Sequence, residues 1–300
     1  MTDLSIVILN FNSKEFALRC VNSIKKHYKE KLADNTYEIF VVDNASSDGS
    51  KQVFEKISDI IFIYNNKNLG FSKGNNTAVN KTKGRYVLFL NPDTIVHKNT
   101  LSKMIDFMDS HKEAGAATCK VLMGNGEIDD ASHRGFPTPW NSLMFFIGLS
   151  KLFPKSKIFN GYQMGWLDMN KTHEINVLAG AFMMVRREAG DEVGWWDEDY
   201  FFYGEDIDFC YLLKEKGWKV YYVADTSVFH HKGVSAGIRK ESKEITTADK
   251  KTKILVTNWR YKAMKIFYNK HYKDKYPFFV NWIINTAVEL KRMKSLREIE

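Results

Sequence analysis

Arg85-Tyr86-Val87-Leu88-Phe89-Leu90-Asn91-Pro92-Asp93 joins an unbroken apolar run to an Asn-Pro-Asp stop. A continuous apolar run of this length reads as a strand covered on both faces, as in parallel sheets. Such a strand carries Asp93 to its carboxyl end, the edge at which open α/β sheets bind ligands. Proline cannot extend the ladder and stops the strand there, and a carboxylate at that edge is placed to hold a cation. Taken alone, the triplet reads first as a turn, since all three residue types are turn formers.

The surrounding sequence favours the sheet. Upstream, apolar runs at 4–9, 38–43 and 60–64 alternate with helix-period segments at 14–28 and 72–81. That repeated βα pattern predicts an α/β fold with a doubly wound, mainly parallel sheet and helices on both faces. In segment 14–28, Ala17, Val21 and Ile24 recur at helical spacing while Lys14, Arg19, Lys25 and Lys26 fall elsewhere, and Asn12-Ser13 offers a capping oxygen. Downstream the spacing predicts strands at 116–122, 177–185 and 218–223, and a helix over 206–216 ended by Gly217. Segment 140–147 reads either as a lid or acceptor-side loop or as an amphipathic helix packed on the core.

Three hundred residues, 44% hydrophobic, suit one domain plus an appendage at about 150 residues per domain. Cys20, Cys119 and Cys210 lie far apart without a CxxC pair, which suggests neither a zinc cluster nor a disulfide framework and suits a reducing cytoplasm. Met1-Thr2-Asp3 leads directly into an apolar run, so no signal peptide is expected. The net charge of +8 sits in the tail: residues 231–300 carry 17 Lys and Arg against 7 Asp and Glu, and residues 1–230 carry 27 against 29. An anionic membrane surface or nucleic acid could attract such a tail. The tail reads as helices divided at Pro277, and its segment 278–284 is too short to span a bilayer, which takes about 20 apolar residues. Its aromatics beside Lys291, Arg292, Lys294 and Arg297 suit an interfacial helix, or equally a helix packed on the domain or on a partner chain.

Four groups of residues carry candidate chemistry. Asn10-Phe11-Asn12 and Asp43-Asn44-Ala45-Ser46-Ser47-Asp48-Gly49 each end a strand on the same edge and could meet a base and a ribose, although Ser47 or Asp48 could equally be a helix cap. Neither GxGxxG nor GxxxxGK[ST] occurs, which argues against a Rossmann dehydrogenase or a P-loop enzyme. In Trp195-Trp196-Asp197-Glu198-Asp199-Tyr200-Phe201-Phe202-Tyr203-Gly204-Glu205-Asp206-Ile207-Asp208, aromatics crowd carboxylates, and partial desolvation suits a general base. The same carboxylates could instead serve a helix dipole. His230-His231 follows a strand, where an imidazole could complete a cation site begun by Asp93.

In this order, Asn10-Phe11-Asn12, Val42-Asp43 with its Asn-Ala-Ser-Ser-Asp-Gly loop, Asn68-Leu69-Gly70-Phe71-Ser72-Lys73-Gly74-Asn75-Asn76, Leu90-Asn91-Pro92-Asp93, Glu205-Asp206-x-Asp208 and His230-His231-Lys232-Gly233 resemble the motifs of family-two glycosyltransferases, in particular their rhamnosyltransferase-like branch. The resemblance covers roughly residues 4–235. It implies a GT-A fold, with Asn10, Phe11, Asp43, Asn91 and a Gly74-Asn75 turn on the nucleotide. It further implies a divalent metal, Mg²⁺ or Mn²⁺, held by Asp93 with His230, and Trp195, Trp196 and Glu205 on the acceptor side. Asp206 would then deprotonate the acceptor hydroxyl in a single inverting displacement. One departure stands out, because the family's metal motif is often Asp-x-Asp and Asn91 occupies its first position here.

These readings set the expectations. Residues 1–235 form a GT-A catalytic domain, and residues 236–300 a basic helical extension, in a cytoplasmic protein peripheral to the inner face of the membrane. The donor is a dTDP- or UDP-sugar, with dTDP-rhamnose suggested by analogy, and the acceptor is a glycan or lipid-linked glycan of polysaccharide or cell-wall synthesis. The rivals are a nucleotide- or glycan-binding module without turnover, and a nucleic-acid binder using Trp259-Arg260-Tyr261-Lys262, which leaves the sheet-edge motifs unexplained.

Overall fold

A computed structural model describes residues 2–231 and 249–299. The expected boundary at 235/236, and Lys232-Gly233 of the last motif, lie outside the described residues. Among the described residues nine strands, β1 (Leu4–Asn10), β2 (Tyr37–Asp43), β3 (Ile61–Tyr64), β4 (Tyr86–Leu90), β5 (Thr94–Val96), β6 (Ala114–Leu122), β7 (His173–Ile175), β8 (Phe182–Arg186) and β9 (Lys219–His230), form one sheet. Its order is β3-β2-β1-β4-β8-β6-β9-β5, with β7 also paired to β9. The helices are α1 (Lys14–Ala33), α2 (Ser50–Phe54), α3 (Phe71–Val79), α4 (Thr100–Ser110), α5 (Pro139–Phe146), α6 (Leu149–Leu152), α7 (Arg187–Val193), α8 (Glu205–Glu215), α9 (Lys250–His271) and α10 (Phe278–Arg297).

The βα repeat read from the sequence is the parallel half, β3-β2-β1-β4. Every residue of β4 is buried, as its unbroken apolar run requires. Beyond β4 the sheet becomes mixed: β8 runs antiparallel to β4 and to β6, while β6 and β9 pair parallel. Two core layers flank the sheet. One lies under α1 and α4 and contains Ile6, Ile24, Leu88 and Met104; the other lies under α3, α7 and α8 and contains Val7, Phe89, Trp196 and Phe209.

Three local expectations are corrected. Ser13 provides no side-chain cap to α1; instead Asp48 reaches across and accepts from Lys14 N at 2.8 Å. Gly74-Asn75 is not a turn but lies inside α3, where Gly74 lets the helix approach Leu9 and Asn44. Residues 140–147 are helical, as α5, and follow a cap in which Thr138 accepts from Asn141 N.

The C-terminal helices are not a detached unit. Ala263, Phe267 and Tyr268 of α9, with Tyr272, form a third apolar cluster with Tyr200, and Tyr211 of α8 packs against it. His271 Nε2 lies 2.6 Å from Asp208 Oδ1, an atom that also accepts from the Tyr200 hydroxyl. Trp259 stacks on Phe201 with ring centroids 5.0 Å apart.

Candidate functional site

The carboxyl ends of β1 and β2 converge through side chains. Asn10 Nδ2 donates to Asp43 Oδ2 at 2.8 Å and to Ser50 Oγ at 2.9 Å, and Asp43 Oδ1 accepts from Ser46 N. Asp43 is wholly buried, and through Asn10 and Ser46 it shapes the loop that the sequence expectation gives to the nucleotide. Asn10 Oδ1 is buried without a partner, an orphaned acceptor directly behind the loop. Phe11 beside it is exposed and offers a ring face.

A second cluster forms where β4 stops. Asp93 Oδ1 lies 3.0 Å from His230 Nε2, although 137 positions separate them in sequence. The backbone fixes the encounter, because Thr94 is in register with His230 and His231 N donates to Asp93 O. His230, not His231, faces the carboxylate; His231 packs edge-on against Phe16 and Phe229. The Asn91 amide approaches His230 Nε2 at 3.4 Å, so Asn91 belongs to this cluster. Burial opposes charge on both partners. The His230 ring nevertheless holds the Asp93 carboxyl below its ordinary range, while Asp93 and Asp129 push His230 up to about 9.

Among the described residues, no group of three His, Cys, Asp or Glu side chains is arranged to hold a metal. A carboxylate and an imidazole 3.0 Å apart nevertheless fit a hard divalent cation that takes its remaining ligands from a diphosphate and water. His230 Nδ1 is buried and without a hydrogen bond, and Asp129 Oδ2 lies 3.8 Å from it. At that separation the Asp129 carboxylate favours the charged ring.

The third cluster stands at the start of α8. Tyr203 and Gly204 both have positive φ, and a Cβ on Gly204 would come within 3.1 Å of Ala263 and Tyr200. This turn delivers Glu205 and Asp206 to the first helical turn, where the dipole favours negative charge. Asp206 Oδ2 accepts from Arg134 Nη2 at 2.5 Å, and Oδ1 accepts from Ile207 N. Glu205 is buried with Oε2 unpartnered; burial first, and the Asp206 carboxylate second, push its carboxyl up to about 8. The adjacent carboxyls are therefore split, one paired with a guanidinium and the other favouring its proton.

Two expected acceptor-side residues lie elsewhere. Trp195 and Trp196 are buried in the second core layer, where Trp196 packs on Phe71, Phe89 and Phe209. Trp196 fills the space between sheet and α8, and Trp195 the space between Phe89 and Gly190 of α7. Arg134 and Asp129 were missed in the sequence. Nothing local marks Arg134, whereas Asp129 stands in an Asp129-Asp130 pair just after a strand, a signal that could have been weighed.

Residues 5–194 match the family described as glycosyl transferase family 2. Over 218 residues the chain is 31% identical to rhamnosyltransferase WbbL of Escherichia coli, an alignment covering 69% of this chain and 78% of the relative. It is 26% identical over 236 residues to N-acetylglucosaminyl-diphospho-decaprenol L-rhamnosyltransferase of Mycobacterium tuberculosis, covering 73% and 74%. In structure it is similar to the mannosyltransferase PcManGT of Pyrobaculum calidifontis in complex with GDP-Man and Mn²⁺. That match has a TM-score of 0.57 and 14% identity, covers 99% of this chain and 72% of the other, and speaks to the fold alone.

Proposed function

The chain belongs to glycosyl transferase family 2, and from that premise we propose that it moves a sugar, rhamnose above others, from a nucleoside-diphosphate donor to a hydroxyl of a polyprenyl-linked glycan, with inversion. The enzyme class and GT-A fold are those of its relatives; the names of two of them supply the rhamnosyl group, and one of those names supplies the lipid-linked acceptor. The observation that carries the reading is the meeting of Asp93 and His230 at 3.0 Å where β4 ends. A charged pair there has no structural need, since buried ion pairs rarely stabilise a fold. Asp206 stands at a helix start with its carboxylate paired to the Arg134 guanidinium.

In this reading Phe11 and the loop held by Asn10 and Asp43 receive the base and ribose, with Asn91, Gly74 and Asn75 lining the same edge. Asp206 takes the proton of the acceptor hydroxyl as that oxygen bonds to the anomeric carbon. The bond from that carbon to the diphosphate breaks on the opposite face, and the diphosphate leaves with the electron pair. A divalent cation, Mg²⁺ or Mn²⁺, when bound, neutralises charge on the departing diphosphate, and Asp93 and His230 are the residues that would hold it. Arg134 keeps Asp206 aimed, and Glu205, favouring its proton, adds no second negative charge at neutral pH. Residues 1–235 perform the chemistry and residues 236–300 extend it at the cytoplasmic face of a membrane.

Calorimetric titration of UDP, dTDP and GDP, each with and without Mn²⁺, tests the donor site. One nucleotide should bind at micromolar Kd, and the metal-dependent part of its affinity should vanish in Asp93→Ala. Binding by none of the three would remove the reading. Asp206→Asn should retain nucleotide affinity and lose about 10²-fold or more in transfer rate, the scale of general-base catalysis.

A further inference from the structure

Helix α10 leaves much of its apolar surface uncovered. Ile284 packs on the apolar cluster of α9, and beside it the two helices meet through polar pairs: Asn281 with Tyr268 at 2.5 Å, Glu289 with Lys265 at 2.8 Å, Arg292 with Asn258 at 2.7 Å and Ser295 with Tyr261 at 2.8 Å. The apolar stripe of α10, which includes Phe279, Trp282, Ile283, Leu290 and Met293, faces away from the protein and is exposed. A helix packed on a globular domain ordinarily leaves its charged side, not side chains of this kind, to solvent.

A second apolar stripe lies beside it. On α5 and the segment after it, Leu143, Ile147, Leu152, Phe153 and Ile158 are exposed. The Trp140 indole, donating to Ile158 O at 2.9 Å, ties the helix to that segment. The two stripes meet where Lys291 Nζ of α10 sits 3.5 Å from the centre of the Phe146 ring. Together α5, α6, α10 and their adjoining residues carry 14 of the 18 exposed large apolar side chains among the described residues, far more than scattered surface hydrophobics would give.

Charge identifies what covers this surface. No Asp or Glu occurs between Asp130 and Asp168, whereas Lys151, Lys155 and Lys157 alternate with the apolar residues there, and Lys294 and Arg297 end α10. Apolar side chains interleaved with cations and nearly free of carboxylates suit a bilayer interface with anionic headgroups. No described helix is long and apolar enough to cross a membrane, so the surface would lie in the interface rather than span it.

We propose that α5, α6 and α10 form one composite surface that seats the protein on a bilayer containing anionic phospholipid. Its place relative to the site gives it a use: Arg134, the partner of Asp206, lies six residues before the exposed Trp140. A lipid-linked acceptor could keep its hydrocarbon in the bilayer while its sugar reaches Asp206. That use rests on the transferase reading; the surface itself does not.

The test uses the full chain in sedimentation with phosphatidylglycerol-phosphatidylcholine vesicles and with phosphatidylcholine alone. Anionic vesicles should be bound at least about tenfold more tightly, and high salt should weaken the binding. Leu152→Glu/Ile158→Glu and Trp282→Glu/Ile283→Glu should each reduce vesicle binding about tenfold or more, with thermal melting and nucleotide titration unchanged. Transfer to a lipid-linked acceptor should fall in both variants while transfer to its water-soluble analogue persists. No vesicle binding by the wild type would overturn the proposal, as would loss confined to the α10 variant, because the surface would then not be composite. A lipid-free dimer dissolved by both variants would also overturn it, assigning the surface to a second copy. Absence of nucleotide binding with vesicle binding intact would instead sink the transferase reading alone.

Discussion

Arg134 and Asp206 place opposite charges in a site where each is about 15% exposed or less. Removing one partner of such a pair leaves an uncompensated charge, at a cost of about 3–5 kcal/mol. Arg134→Gln should therefore destabilise the protein by roughly that amount in urea unfolding, and adding Asp206→Asn to it should recover much of the loss. A loss below about 1 kcal/mol would show that water already solvates Asp206. Glu205 gives a pH signature. Its folded pKa, about 8, lies above the ordinary value near 4.3, so the native state retains a proton that the unfolded chain has lost between these limits. Its contribution is complete below the unfolded value and is lost as pH rises through the folded one. Over that window it lowers stability by up to about 1.4 kcal/mol per pH unit. The urea midpoint of the wild type should fall more steeply between pH 5.5 and 7.5 than that of Glu205→Gln; parallel profiles would show Glu205 already ionised. Glu205-Asp206 was legible as a cluster, but its division of roles was not, because that depends on Arg134, 72 positions away.

At the scale of elements, α9 and α10 have opposite relations to the domain. Helix α9 covers Tyr200 and Tyr211 with aromatic side chains and ties Asp208 through His271. Helix α10 meets α9 through Ile284 and several polar pairs and leaves Phe278, Phe279, Trp282, Ile283 and Leu290 outside. A chain ending at Lys275 should therefore melt within a few degrees of the full protein. One ending at Ser242 should lose most of its cooperative transition, since several buried aromatics would be uncovered at about 3–5 kcal/mol per large ring. Circular-dichroism melts decide this, and equal tolerance of both truncations would show that the extension folds apart from the catalytic residues. Pro277 marked the division between these two helices, and apolar runs marked β1 to β4, because each such signal is local. The antiparallel strand β8 was invisible as such, since its direction is set by pairing with β4 and β6, partners distant in sequence. The capping of α1 by Asp48 escaped for the same reason: the sequence offered Ser13 close at hand, and the structure uses an oxygen 34 residues away.

Across the whole molecule, the candidate donor site is assembled from both halves of the sheet, Asn10, Asp43 and Asp93 from the ends of parallel strands β1, β2 and β4, and His230 from the end of β9 in the mixed half. No part of the chain holds these residues together once unfolded, so a nucleotide that engages them binds the native state alone. At a hundred times its Kd such a ligand stabilises by about 2.7 kcal/mol, which in a protein of this size raises Tm by roughly 5 °C. Nucleotide with Mn²⁺ should produce that rise in the wild type. In Asp93→Ala the shift should shrink to what the nucleotide gives without metal, because the base and ribose contacts survive while the diphosphate end does not. The comparison separates two geometries that the sequence could not: a diphosphate resting on Asp93 and His230, or a nucleotide held wholly by the loops after β1 and β2. Equal metal-dependent shifts in wild type and Asp93→Ala would select the second and return the Asp93–His230 pair to a structural role.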